Sequence, residues 1–404
     1  MKNQNRFRYS LFAVVLILTG CTCSGWRGTE SSAASETAAT NSLSPSLPVK
    51  SAVATWDLVP PDATVLYQPQ YARNFLLTKE GNQTVLYTRY SALTSPQNGH
   101  TSTHRYVIKP ARRVVCLSTS HIACIDVLHQ CGRIVGVSGK KYVYSQNVAQ
   151  AAEVGYEAAI DYEALLRLKP DVVFAYYING QPMDYLTRME QLGLNVVLLH
   201  DHTEPHPLGR AEYTVAFAAF FAGNESRDNE LLDLSQAVNF FNSVKNEYLS
   251  LCRRIKDAAV TPVKVLINAP FKDVWYVPSL ESHANLLVQD AGGELSGAVS
   301  GPESSTLNIE QAYIYALQAD FWIHPNNCLS LADLTALDPR FARVPCVQNG
   351  AVWNNNLRYT AAGGNDYYES AIVYPQRILA DLIAIFHPDL MPEHRFEYYR
   401  QLSR

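Results

Sequence analysis

Three histidines and two carboxylates fall within seven residues at His200-Asp201-His202-Thr203-Glu204-Pro205-His206. Imidazole and carboxylate are the ordinary ligands of transition metals, and a His or Tyr can also take a haem iron. The same run reads equally as a polar loop leading into a helix from Arg210. His121, just beyond the apolar stretch Arg113-Val114-Val115-Cys116-Leu117, is a further candidate ligand contact. A second set is aromatic. Tyr142, Tyr144, Tyr156, Tyr176, Tyr177, Trp275 and Tyr276 follow or end apolar bursts, and Arg358, Tyr359, Asn365, Asp366 and Tyr367 share one polar stretch. Such a set suits a flat, partly apolar ligand held between aromatic faces and oriented by a few polar groups. With 24 tyrosines in the chain, some of these residues simply cover sheet ends. Phe217, Phe220 and Phe221 fall at helical spacing and read as core.

Two glutamates occupy matching positions. Asp161-Tyr162-Glu163 opens a helix that runs into Asp171-Val172-Val173-Phe174, and Asn308-Ile309-Glu310 opens one that runs into Asp320-Phe321-Trp322-Ile323. An acidic residue in a first helical turn is stabilised by about 0.3–1 kcal/mol against the helix dipole. The repetition of the pattern in two places calls for more than that.

Other chemistries find no support. The chain has no G-x-S-x-G elbow, no G-x-x-x-x-G-K-[ST] phosphate loop and no G-x-G-x-x-G fingerprint, so an enzyme is not expected. A metallo-enzyme built on the 200–206 loop is the competing reading of that class. A net charge of −4 with no basic stripe argues against nucleic acid as partner.

The elements that must position these residues alternate. Short continuous apolar strands are expected at 113–117, 134–137, 171–176 and 195–199, with helices through Ile122 to Leu128, Tyr162 to Leu168 and Asp184 to Leu192. That alternation implies a parallel sheet covered on both faces. Residues 226–257 contain no Gly or Pro, and Leu231, Leu234, Val238, Phe241, Val244, Tyr248 and Leu251 recur every three or four. They form one long amphipathic helix. A second series follows, with strands at 263–267, 320–323 and 351–353, helices at 282–290 and 309–317, and a closing helix from about Tyr368 to Phe386. The fold class is therefore α/β: two Rossmann-like lobes with mostly parallel sheets joined by one long helix. A short β-rich extension precedes them.

The resulting division is a signal peptide at 1–20, a tether at 21–55, the β-rich extension at 56–110, an N-terminal lobe at 111–225, the linking helix at 226–258 and a C-terminal lobe at 259–404. Lys2, Arg6 and Arg8 precede the apolar run Leu11 to Leu18, which is short of the roughly 20 residues that span a bilayer. It ends in Leu18-Thr19-Gly20-Cys21, which resembles a bacterial lipobox with Cys21 as the acylated residue. Ser-, Ala- and Thr-rich sequence follows and lacks the apolar content to fold. The cysteines show no CxxC and no zinc spacing. Cys328 and Cys346 flank one segment and could pair in an oxidising compartment.

At Arg113-Val114-Val115-Cys116-Leu117-Ser118, Ile134-Val135-Gly136-Val137-Ser138, Asp161 through Val173 (DYEALLRLKPDVV), Leu287 through Gly293 (LVQDAGG) and the Glu310 helix, the chain resembles the periplasmic iron-siderophore, haem and cobalamin binding proteins of ABC importers. The resemblance covers roughly residues 106–390. It implies two lobes with the ligand between them and little closure. It also implies a lipid-anchored protein of the cell envelope, facing the periplasm or outer side, with no permanently bound cofactor. The transported ligand would be an iron chelate, haem or cobalamin, and the partner an ABC permease dimer with its ATPase. Glu163 and Glu310 match the glutamates that dock onto permease arginines in that family. Tyr156, Tyr176 and Trp275 fall at or beside aromatic positions that face a corrinoid, and Asn365 and Asp366 lie near a polar contact. An anionic siderophore would add Arg358, Lys140, Lys141 or Lys272. A scavenging lipoprotein without a transporter is a third class, against which the glutamate pair argues. The family core offers no counterpart of residues 56–110.

Overall fold

The linking helix sets the architecture. Asp233 caps it by accepting from the Ser235 and Gln236 N–H groups, and it runs from Leu234 to Ala258 before Ala259 turns the chain with a left-handed φ of 47°. Its buried residues, Ala237, Phe241, Val244, Tyr248, Cys252 and Ile255, recur at the helical period. At 1.5 Å per residue it spans about 37 Å. The computed structural model describes residues 56–91, 101–156, 159–176, 184–222, 233–271, 274–301 and 303–404. The helix expected from residue 226 thus begins at Leu234 here, and most of the missing turns, 226–232, lie outside the described residues. So do the signal peptide, Cys21 and the tether.

On one side lies a five-stranded parallel sheet in the order Val196–Leu198, Val172–Ala175, Val114–Cys116, Ile134–Val137, Ala152–Glu153. Val172–Ala175 is buried at all four positions, as a strand covered on both faces must be. One face packs Val115 and Val173 against Leu165, Leu186 and Met189 of helices Tyr162–Leu168 and Asp184–Gln191. The other packs Val114 and Phe174 against Ile122 and Phe217 of helices Thr119–Asp126 and Pro207–Phe221.

The second lobe repeats the plan. Gly293–Leu295, Val263–Ile267, Phe321–Ile323 and Val352–Asn354 are parallel, and Arg400–Gln401 adds an antiparallel edge. Its core is aromatic: Trp275 lies 5.4 Å from Trp322, and both meet the ring of Phe341 edge-on. The closing helix is shorter than its sequence suggests. It runs from Pro375 to Phe386, and 366–372 form two tight 3₁₀ turns instead. Proline disfavours helical backbone at the residue before it and has no N–H to donate, so Pro375 sits at a helix start and not inside one.

The extension is a four-stranded antiparallel meander, Thr64–Tyr67, Phe75–Glu80, Gln83–Ser91 and Thr101–Val107. Strand alternation gives it two apolar faces. Phe75, Leu77 and Leu86 join the N-terminal core, where Phe75 meets Tyr213 edge-on at 5.0 Å. Leu76, Val85 and Tyr87 face outward beneath Trp56 and Val59. The sheet therefore covers helix Pro207–Phe221, which is buried at 14 positions.

The six described cysteines are free and buried, so Cys328 and Cys346 do not pair. No helix among the described residues is long and apolar enough to cross a membrane.

Candidate functional site

Ligands of open parallel sheets sit beyond the carboxyl ends of the strands. Here the strand ends of the C-terminal sheet and the start of helix Pro207–Phe221 line a cavity of about 210 Å³. Pro207 and Arg210 line it from the N-terminal lobe, and Asn268, His283, His324, Asn326, Tyr367 and Tyr368 from the C-terminal lobe. Arg210 bridges the lobes. Its Nη1 lies 3.1 Å from His283 Nε2, and its Nη2 lies 3.4 Å from Asp201. Burial, then the adjacent Arg210 charge, pushes His283 well below the usual imidazole range, so it is neutral and accepts from the guanidinium. Asp201 also accepts from Ser120 Oγ at 3.1 Å. Although burial opposes its charge, Arg210 and the neighbouring histidines hold its pKa below the ordinary value.

The C-terminal strand ends are held in unusual backbone. Asn268, His324 and Asn326 all have positive φ, at 68°, 54° and 46°. Each is braced. Trp322 Nε1 donates to Asn268 O at 2.6 Å, Asn326 N to His324 O at 2.6 Å, and Asn354 Nδ2 to Asn326 O at 2.9 Å. His324 is further fixed by a short hydrogen bond between Nε2 and the Tyr399 hydroxyl, with the two rings stacked at 5.3 Å.

Residues 366–374 separate this cavity from a larger groove of about 840 Å³, lined by Asp126, Tyr144, Asn147, Phe240, Arg358, Tyr359 and Tyr374. Along it the lobes are tied together. Glu369 accepts from the Tyr144 and Ser145 N–H groups at 2.7 and 2.9 Å, and Thr119 Oγ1 donates to Tyr368 O at 2.9 Å. Burial pushes the Glu369 carboxyl up to about 7, against the pull of those two N–H groups.

The sequence-expected site residues divide. Tyr142 and Tyr156 meet at 5.3 Å, both half-buried, with the Lys141 ammonium over Tyr142. Tyr176 is half-buried 5.8 Å from the ring of His202. Tyr276 is half-buried in strand Trp275–Val277, where its carbonyl accepts from Asn268 Nδ2. Tyr177 and Lys272 lie outside the described residues.

Other expectations are corrected. Trp275 is 0 % exposed and donates its Nε1–H to Ile267 O, so it is core and not a cleft wall. His121 is likewise 0 % exposed, ringed by Phe174, Tyr176 and Phe217. Burial pushes it down to about 4, and it lines neither of the two cavities described above. Asp366 is buried with its carboxylate on Arg358 and Ser370, and Asn365 caps the turn by accepting from Tyr367 N. Arg358 is engaged by Glu397 as well, and Lys140 Nζ donates to the carbonyls of Ala149 and Ala151. These cations are committed to the protein.

The histidine loop is not a metal centre. No group of three His, Cys, Asp or Glu side chains converges on a metal position among the described residues. His200 packs on Tyr90 at 4.7 Å, Asp201 holds Ser120 and Arg210, and Glu204 caps the Arg73 and Asn74 N–H groups. His206 caps helix Pro207–Phe221 through Leu208 N. Each side chain points to a different structural duty.

Glu163 and Glu310 are both exposed first-turn residues of their helices, capped by Asp161 and Asn308. They differ in company. Arg340 donates from Nη1 to both Glu310 oxygens at 2.9 and 3.0 Å while also holding Asp338. Glu163 has no ion-pair partner among the described residues.

Sequence reasoning missed Arg210, His324, Tyr368 and Glu369. His324-Pro325-Asn326-Asn327, a polar break directly after an apolar strand, was the available signal for one of them.

No family model matches the chain. An uncharacterized lipoprotein of Methanocaldococcus jannaschii is 22% identical over 307 residues, covering 72% of this chain and 68% of that protein. Among solved structures, the apo periplasmic heme-binding protein RhuT of Roseiflexus superposes with a TM-score of 0.53 at 17% identity, covering 70% of this chain and 100% of that one. The periplasmic vitamin B12 binding protein BtuF of Vibrio cholerae gives 0.51 at 17% identity, over 70% and 99%. CeuE of Helicobacter pylori with Ni(II) bound gives 0.53 at 14% identity, over 76% and 91%. Two α/β lobes joined by one helix, with polar and aromatic residues gathered where the lobes meet, give this chain the fold of the periplasmic heme- and vitamin B12-binding proteins.

Proposed function

We propose that this chain is the substrate-binding lipoprotein of an ABC importer, held in the cell envelope by a lipid on Cys21. It captures an iron chelate, ferric siderophore or haem, between its lobes and delivers it to the permease. The observation that carries this reading is the cavity between the C-terminal strand ends and the start of helix Pro207–Phe221, lined from both lobes and bridged by Arg210 and His283. A binding protein needs a site that both lobes complete. Glu163 and Glu310 present one acidic tip per lobe to the permease.

Cobalamin is the second reading, and one observation favours it. The cavity wall is rich in uncharged hydrogen-bonding groups, Asn268, Asn326, Asn355, Tyr367 and Tyr368, which suit carboxamide arms. The cations Lys140 and Arg358, which an anionic siderophore would seek, are already engaged.

The test is titration of the purified mature chain with haem, cobalamin and ferric chelates, followed by visible spectroscopy and thermal shift. Saturable binding of one of them with a raised melting temperature is expected. An unchanged spectrum and no shift with all three would end the proposal.

A further inference from the structure

The N-terminal sheet ends in a free edge. Thr64–Tyr67 pairs with Phe75–Glu80 on one side only, and its first three residues are exposed. Successive strand residues point to opposite faces, so Val65 at 51 % exposure and Leu66 at 39 % leave neither face of this strand covered. Leu58, shortly before it in the chain, is exposed as well. An apolar edge with open N–H and C=O groups is a template for pairing with another chain, and folds blunt such edges with charge, bulges or a cover. The register shifts between Val65 and Tyr67, yet Val65 and Leu66 stay bare.

The neighbouring hairpin offers a cover. Phe75–Glu80 and Gln83–Ser91 are joined by the two-residue turn Gly81-Asn82, with Glu80 opposite Gln83. Gly81 takes the positive φ, 56°, that the first place of a II′ turn asks for, and nothing lies within 4 Å of where a side chain there would begin. Gly81, Asn82 and Gln83 are all exposed at this tip. Lys79, three residues before Asn82, lies opposite Thr64, so the tip stands at the end of the bare strand where Val65 begins. Asn82-Gln83-Thr84 is an Asn-x-Thr triplet, the acceptor pattern for an N-linked glycan on a surface turn of an exported chain. The sequence holds one other such triplet, Asn224-Glu225-Ser226, which lies outside the described residues.

We propose that Asn82 carries an N-linked glycan that overlies the free edge at Val65 and Leu66. Nδ2 of Asn82 attacks C1 of a sugar held on a lipid phosphate. The Nδ2–C1 bond forms, the C1–O bond to phosphate breaks, the Nδ2 proton passes to a base of the transferring enzyme, and the lipid phosphate leaves. Nothing is oxidised or reduced. In the folded sheet Thr84 pairs with Lys79 and its carbonyl accepts from Ile108 N, which locks the triplet in the ladder. Transfer therefore belongs to export, before the sheet closes. The inference rests on the envelope location in the reading above and not on the ligand. No residue of the meander lines either cavity, so ligand binding is unaffected.

The experiment purifies the chain from the envelope of the cell that naturally makes it and reads its tryptic peptides by mass spectrometry. Cleavage after Lys79 and Arg89 releases Glu80–Arg89 with the triplet intact. The expected spectrum shows that peptide heavier by a sugar chain. Asn82→Gln and Thr84→Ala lose the added mass, and Thr84→Ser keeps it because the hydroxyl remains. Asn82→Gln also self-associates in sedimentation where the unaltered chain is monomeric, and adding Val65→Lys with Leu66→Lys restores the monomer. A bare Glu80–Arg89 peptide from the unaltered chain overturns the inference and leaves the importer reading to its own ligand titration. A glycan on Asn82 whose removal leaves the chain monomeric overturns the shielding. Absence of the chain from the envelope overturns the inference and the importer reading together.

Discussion

Glu204 and Glu212 divide five consecutive backbone N–H groups between them. Glu212 takes those of Gln70, Tyr71 and Ala72 at 2.7–2.8 Å, and Glu204 takes those of Arg73 and Asn74 at 2.9–3.0 Å. Both carboxylates are buried, and Tyr67 and Tyr213 donate their hydroxyls to the pair as well. This clasp fastens the N-terminal sheet to the lobe beneath it. Removing an acceptor from several buried donors is costly, because each is left without a partner. Glu212→Ala is expected to lower stability by about 3 kcal/mol in urea unfolding. A loss under 1 kcal/mol would mean that the sheet is held by its apolar face alone.

The clasp also predicts a pH dependence. Burial pushes Glu204 up to about 8 despite its N–H partners, and Glu369 up to about 7. A carboxyl raised above its unfolded value binds its proton more tightly when folded. Its contribution is fully present below about pH 4.5 and is lost as pH rises through 7 to 8. The buried neutral histidines act in the opposite sense up to about pH 6.5, where the unfolded imidazoles lose their protons, so the melting temperature should fall between pH 7 and pH 8.5, and less steeply in Glu204→Gln. A melting temperature that rises over that interval would contradict the assignment.

Glu369 is the point where the lobes are tied. Glu369→Ala should speed hydrogen exchange at the Tyr144 and Ser145 amides, with little change at Val173 in the sheet core. Equal protection in both proteins would show that the tie is incidental.

Trp275 separates a core role from a ligand role. Trp275→Ala should cost about 3–5 kcal/mol of stability, as large aromatic truncations in a packed core do. Trp275→Phe should keep ligand affinity within a factor of two to three, because no edge of the indole reaches the cavity. A tenfold loss of affinity in a folded Trp275→Phe protein would restore it to the site.

The two acidic tips are expected to be unequal. Under the importer reading proposed above, replacing both Glu163 and Glu310 with Ala should leave ligand binding intact and abolish uptake. Exposed ion pairs contribute only about 0–1 kcal/mol, so the loss reflects register and encounter more than affinity. Arg340 occupies Glu310 in cis, so Arg340→Gln should raise the rate of uptake and make it more sensitive to salt. Uptake unchanged in the double Ala variant would remove the docking role.

Much of the fold was readable because its elements are strongly patterned. Val172-Val173-Phe174-Ala175 admits no reading but a buried strand, and the spacing from Phe241 to Tyr248 none but a helix. The Tyr368–Phe386 segment misled because its apolar periodicity continues through a stretch that Pro375 decouples. The site was less readable, for a physical reason. Histidine, tyrosine and carboxylate do the same hydrogen-bonding chemistry in a core as in a cleft, and chain position alone does not separate the two. His121 and His324 both follow strands; one is sealed under Phe217, the other opens to a cavity. Glu204 looked like a metal ligand because its true partners are backbone amides some 130 residues away, which no local pattern announces.

The rod of residues 234–258 lies pressed between the segments 207–221 and 375–386, with Phe241 and Tyr248 seated in the interior. Bending it would lift those rings from their seats, so a jaw-like closure of the two lobes would cost that packing. Filled and empty forms should be nearly superimposable in solution scattering. Under the importer reading proposed above, a permease choosing the filled form would have to sense something other than posture, such as the stiffness of the rim or the ligand itself.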